Sequence, residues 1–178
     1  MDTHYSPLVG ALIHSASPMP LDMGAPSASA RHKLAALSPE QLFARPGTPI
    51  RDMRMAQCCL AGLWLRHGFY DESHVISQDI ETPTGGFWHA IVHRREPDYG
   101  NARYWFRRVG SHPIFPDLNN AAIAAGWPDS ALWDAKHFVD KVENVMRVGK
   151  THENHALCIA VQEIEWRLLF DYSWKNSL

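Results

Sequence analysis

Residues 71–108, DESHVISQDIETPTGGFWHAIVHRREPDYGNARYWFRR, carry the densest chemistry in the chain. Two runs of helical spacing flank Thr82-Pro83-Thr84-Gly85-Gly86. That turn ends one helix and starts another, and a short connection lays the two helices antiparallel or nearly so. In the second run Trp88, Ile91 and Val92 form an apolar stripe, the mark of a helix with one buried face. His89 and His93 are four residues apart and flank the stripe, which stacks them on one side with Cβ atoms ~5–6 Å apart. Glu96 falls on the same arc.

Working outward, helix punctuation continues along the chain. Ser38-Pro39-Glu40-Gln41 offers a cap, a first-turn proline and a capping-box glutamine. Gly68, Gly110, Gly126 and Gly149 each follow an apolar or mixed run, where a helix end favours a left-handed residue. Asp71, Asp129 and Thr151 are candidate caps. The expected helices cover roughly 38–44, 50–67, 72–79, 85–96, 100–109, 117–125, 130–148 and 151–171. The aromatic run Tyr104-Trp105-Phe106 also tolerates a short strand. The last helix is apolar on most of its circumference, so it belongs at the centre of the bundle. The expected fold is all-α, an orthogonal or antiparallel multi-helix bundle. Residues 1–36, rich in Pro, Ser and Ala, read as a non-globular N-terminal extension, flexible or draped over the domain. Residues 37–178 read as a single helical domain.

Composition bounds the function. Lys plus Arg is 17 against 19 for Asp plus Glu, a net charge of -2 with His neutral. Proteins that grip nucleic acid or anionic membranes need a basic excess, so neither partner is expected. No apolar run approaches the ~18 residues of a membrane span, and no basic-then-apolar leader is present. Cys58, Cys59 and Cys158 have neither disulfide nor zinc spacing. They read as buried apolar residues of a reduced, cytoplasmic protein. The P-loop, dinucleotide, HExxH and nucleophile-elbow motifs are all absent.

The unusual counts are 7 Trp and 11 His. At that His content chance alone supplies about 0.7 pairs four apart, so His89/His93 gains weight only from its surroundings. His74, on the preceding helix, supplies them. The tight turn can carry His74 and Gln78 towards His89 and His93, and three His on two packed helices hold a divalent ion with open positions. Zn, Fe and Mn suit such ligands. Glu96 and Glu72 are candidates for acid/base or ligand-orienting roles. Arg94, Arg95, Gln78, Asn101, Tyr104 and Trp105 are candidates for holding a polar or anionic substrate. The structural alternatives are two half-buried His bonded to carboxylates or carbonyls, and Arg94 and Arg95 paired with Glu96 and Asp98. His152-Glu153-Asn154-His155 forms a second, weaker cluster that Glu163 or Glu165 could approach.

GFWHAIVHRREPDYGNARYWFRRVGSHPIF, preceded by LWLRHGFYDESHVISQ, resembles a block found in a family of uncharacterised bacterial and fungal proteins. The resemblance covers roughly residues 55–116. It implies no activity or cofactor, only that this stretch is one unit.

The resulting expectation is a metal-dependent enzyme for a small polar or anionic molecule, with His74, His89 and His93 on the metal. Two alternatives use other features. One is a metal-free small-molecule binding module with the same pocket. The other is an interaction protein presenting Trp105, Trp127, Trp133 and Trp174. A homodimer through the apolar C-terminal helix is a further expectation.

Overall fold

The computed structural model describes residues 5–43, 49–128 and 132–178. It is all-α. The helices are α1 (Pro7–Ser15), α2 (Ala28–Ala35), α3 (Pro39–Leu42), α4 (Met53–Arg66), α5 (Tyr70–Gln78), α6 (Pro83–Arg95), α7 (Tyr99–Val109), α8 (Phe115–Ala124), α9 (Ala135–Val148) and α10 (His155–Ser177). The run around Tyr104 is helical, since Phe106 and Val109 bury on one side of α7 and Arg107 and Arg108 stay outside.

Side-chain caps set the boundaries. Asp52 accepts from the Arg54 and Met55 amides, Thr82 from Gly85, Asp98 from Asn101, and Asp134 from Lys136 and His137. Each satisfies an amide that the helix start leaves without a partner. Asp71, expected as a cap, lies inside α5, and Asp129 falls outside the described residues. The four expected glycines end their helices with positive φ. Gly68 has a second duty: a Cβ there would sit 3.2 Å from Pro26 Cα, so only glycine admits both the turn and the passing chain.

The C-terminal helix is the spine. Trp166, Leu169, Phe170 and Trp174 of α10 are buried among α4, α8 and α9. Gly62 of α4 would place a Cβ 2.8 Å from Trp88 and 3.2 Å from Phe170. Its missing side chain is what lets α4, α6 and α10 meet. Much of the apolar surface that suggested a homodimer is therefore used inside the chain, while Ile159, Ile164 and Leu168 remain partly buried. Trp127, Trp133 and Trp174 are likewise buried and Trp105 is half-buried, so three of the four tryptophans expected on an interaction surface lie in the core. Among the described residues no helix is long and apolar enough to cross a membrane. The three cysteines are free and buried.

The N-terminal expectation needs correction. Residues 5–36 form α1 and α2, and Val9, Leu12, Met19, Leu21 and Leu34 lie in the common core. The connecting strap carries few apolar side chains, yet its backbone is held by polar groups of distant helices. Gln162 Nε2 donates to the carbonyls of Met19 and Pro20, at 3.1 Å each. Arg95 Nε donates to Pro20 O at 3.1 Å, and the Met19 amide donates to Glu163 Oε1 at 2.7 Å. Burying backbone carbonyls demands such partners. A composition reading cannot see them, because they come from 75 to 144 residues away.

Candidate metal centre

Helix α5 lies against α6, and α6 against α7. This places His74 of α5 opposite His89 and His93 of α6. The His89 and His93 Nε2 atoms are 2.8 Å apart. The His74 ring lies 4.4 Å from that of His89 and 5.2 Å from that of His93. One ring nitrogen from each imidazole can be chosen so that all three lie within 4.8 Å of one another. A tetrahedral ion with ~2.0–2.1 Å bonds wants its nitrogens about 3.4 Å apart. Among the described residues this is the one grouping of His, Cys or acidic side chains with such convergence.

Helix α6 is buried along most of its length. His89 and His93 are buried, whereas His74 is half-buried and faces the outside. The Trp105 ring leans on His89 with centroids 4.4 Å apart. Burial, then repulsion from His93 and His74, pushes His89 down to about 3. Its imidazole is therefore neutral at pH 7, the form that binds metal. The remaining nitrogens are the informative ones. His89 Nδ1 and His93 Nδ1 are buried and have no hydrogen-bond partner. Buried polar atoms are rarely left so.

Two carboxylates stand behind His93. Glu96 Oε2 is 3.6 Å and Asp98 Oδ2 3.8 Å from His93 Nδ1. Those are ion-pair and not hydrogen-bond distances, but they match the place of an acid that orients a ligating imidazole through its second nitrogen. Glu96 thus lies beside His93, at the edge of the imidazole cluster. Asp98 was not expected beside His93, because its neighbours Arg94 and Arg95 made it look like their partner. The Pro97 turn folds it back instead, with the Asp98 amide on His93 O at 2.9 Å.

Other expected members lie elsewhere. Glu72 is two residues from His74, so it projects from the far side of α5, where it pairs with Arg31 at 2.6 Å. Arg94 is fully buried, bonds both oxygens of Glu165, and stacks its guanidinium 4.5 Å from the Phe138 centroid. Arg95 donates to Pro20 and Leu65 carbonyls and sits 4.9 Å over Tyr70. Neither touches Glu96 or Asp98, and neither is free for a substrate. They fail as substrate groups because they follow His93 directly and so turn towards the opposite face of α6. His74 is the fifth residue of α5. At the rim, Gln78 is exposed one turn beyond His74. Asn101 is exposed and donates to Asp98 Oδ2 at 2.6 Å. Tyr104 is exposed and accepts from Arg108, whose guanidinium lies 5.1 Å over Trp105. Arg103 leaves the rim to pair with Asp140 and Glu143 of α9.

The second His cluster does not converge. His152 Nδ1 accepts the Asn154 amide at 3.0 Å. Glu163 bonds Arg66 at 2.6 and 2.5 Å, and Glu165 is taken by Arg94.

Comparisons with protein-family models, curated proteins and solved structures find no match for the chain. Chemical interpretation therefore starts from the arrangement of the imidazoles.

Proposed function

We propose that the chain is a metal-dependent enzyme, hydrolase or lyase/isomerase-like, acting on a small polar or anionic molecule at His74, His89 and His93. The observation that carries this reading is the convergence of three imidazoles from two helices, with orphaned second nitrogens and carboxylates behind one of them. Three imidazole ligands suit Zn, Fe or Mn and leave positions for water and substrate. The ion would supply a Lewis acid and lower the pKa of a bound water. Glu96 and Asp98 would fix the His93 ring, and Glu96, the less exposed, would serve as proton acceptor for the site. Substrate enters from the His74 side, past Gln78, Asn101, Tyr104 and Trp105, with Arg108 providing the positive charge first assigned to Arg94 and Arg95. Buried unpaired thiols suit a reducing cytoplasm.

Elemental analysis of purified protein tests the proposal. One equivalent of a transition metal is expected in wild type, and none in a His89→Ala/His93→Ala variant that keeps its helical circular dichroism. Absence of metal in the wild type after incubation with Zn, Fe(II) and Mn, or undiminished metal in the variant, overturns it.

The 2.8 Å contact between His89 and His93 Nε2 atoms favours a second reading. One shared proton satisfies both atoms, as a metal-free binding module would need. Thermal shifts with small sugars or phosphates, insensitive to chelators and to divalent ions, would select it.

A further inference from the structure

The rim of the imidazole site holds a cation that no acid answers. Arg108 of α7 is exposed, and its guanidinium lies 5.1 Å over Trp105 and 5.8 Å over Tyr104. Among the described residues its hydrogen bonding is limited to Nη1, which donates to the Tyr104 hydroxyl at 3.1 Å, and no carboxylate comes within ion-pair reach. Arg103 on the same helix shows the ordinary fate of such a group, paired with Asp140 and Glu143. We infer that the site takes a small dicarboxylate, with one carboxylate on the metal and the other on Arg108. The inference rests on the metal reading above and narrows its substrate.

Position comes first. Trp105 leans on the His89 ring and carries the Arg108 guanidinium, so steps of 4.4 and 5.1 Å join the imidazole to the cation. A chain of a few carbons bridges such a span. Helix α7 passes the first turn of α6 here, since a Cβ on Gly86 would lie 3.5 Å from Val109 and 3.6 Å from Trp105. Glu96 and Asp98, by contrast, stand at the far end of α6 beside His93. At 1.5 Å per residue, Gly86 and Glu96 are about 15 Å apart along the axis. The positive and negative groups of the rim therefore flank the imidazoles from opposite ends, and Arg108 is not paired off by the carboxylates.

Charge and shape then select the ligand. Imidazoles bind a metal as neutral ligands, so a divalent ion held by three of them keeps its full charge and draws an anionic oxygen into an open position. The guanidinium chooses the second end. With Nη1 turned to Tyr104, the Nε and Nη2 donors remain as one flat edge, which matches the two oxygens of a carboxylate. Contact with two rings also fixes that edge in advance. Less side-chain freedom is then lost when an anion docks.

Cobalt(II)-loaded protein tests this, because the visible absorption of the ion changes when an anion enters its coordination sphere. Glutarate and adipate are compared with their monoamides, which keep the length and lack one charge. At least one dicarboxylate should bind about tenfold or more tightly than its own monoamide, the worth of a charge-assisted hydrogen bond. Arg108→Gln should erase that difference. Arg107→Gln removes the same charge from the neighbouring exposed residue and should leave the difference in place. Equal binding of diacid and monoamide, a difference that survives Arg108→Gln, or one that disappears in Arg107→Gln, would each overturn the inference and leave the metal site standing. Failure of His74, His89 and His93 to take up cobalt would overturn both.

Discussion

Adjacent residues of α6 treat buried nitrogen in opposite ways. Arg94 and Arg95 point into the bundle, where Glu165 and Gln162 or backbone carbonyls take their terminal donors, although Arg94 Nε is buried without a partner. His89 and His93 point towards α5 and α7 and keep ring nitrogens that nothing in the protein answers. The arginine face spends its donors on holding the fold together. The histidine face keeps unspent lone pairs beside a half-exposed third imidazole. The difference teaches that burial alone does not separate a structural polar group from a functional one. What the unsatisfied atoms can do separates them: an unused guanidinium N–H can only donate, whereas a neutral imidazole nitrogen can offer a lone pair to a metal.

The comparison is broken most severely on the arginine face. Glu165→Ala leaves the Arg94 cation buried and unpaired, and should cost about 3–5 kcal/mol in urea unfolding. Metal content per folded molecule should stay at the wild-type level. A loss below ~1 kcal/mol would mean that the pair is not the structural tie described here.

Next in size is the N-terminal segment, α1 and the strap that Arg95 and Gln162 hold after it. Leu12 is 2 % exposed, so Leu12→Ala should cost about 2–4 kcal/mol by the same denaturation measurement. A flexible extension would show no change. The low apolar content of residues 14–27 concealed this packing from the sequence. Helix spacing and caps, by contrast, announce α6 and its turn openly, because they depend only on residues within four positions. The His89/His93 pair was legible for that reason, and His74 followed from the shortness of the loop. Asp98 and the true partners of Arg94 and Arg95 were not legible. Which acid meets a given arginine depends on how α10 crosses α6, and no local pattern encodes that crossing.

On the histidine face, Glu96→Gln keeps the shape of the side chain but removes its charge beside His93 Nδ1. Zinc affinity, read by competition with a chromophoric chelator, should fall about 10- to 100-fold with little change in stability. A change in stability without a change in affinity would make Glu96 a helix-end group only.

A smaller effect sharpens the contrast between dry imidazoles and ordinary ones. His112 bonds Thr84 through Nε2 at 3.1 Å, and burial pushes it down to about 4. The native state keeps it neutral while the unfolded chain takes up a proton below its ordinary value near 6.5. Its contribution is thus complete above pH ~6.5 and is lost as pH falls towards about 4, at up to ~1.4 kcal/mol per pH unit. His112→Gln should flatten that limb of the stability–pH curve by one proton's worth. A curve with unchanged slope would contradict the burial assigned to this ring.

The central claim is that His74, His89 and His93 meet at one ion. Anomalous diffraction at the zinc edge, from a crystal soaked in Zn²⁺, addresses it directly. The account predicts a single strong peak about 2.0–2.1 Å from one nitrogen of each of the three rings. A map with no peak among those rings, or with zinc only at surface histidines such as His14 or His32, would contradict it.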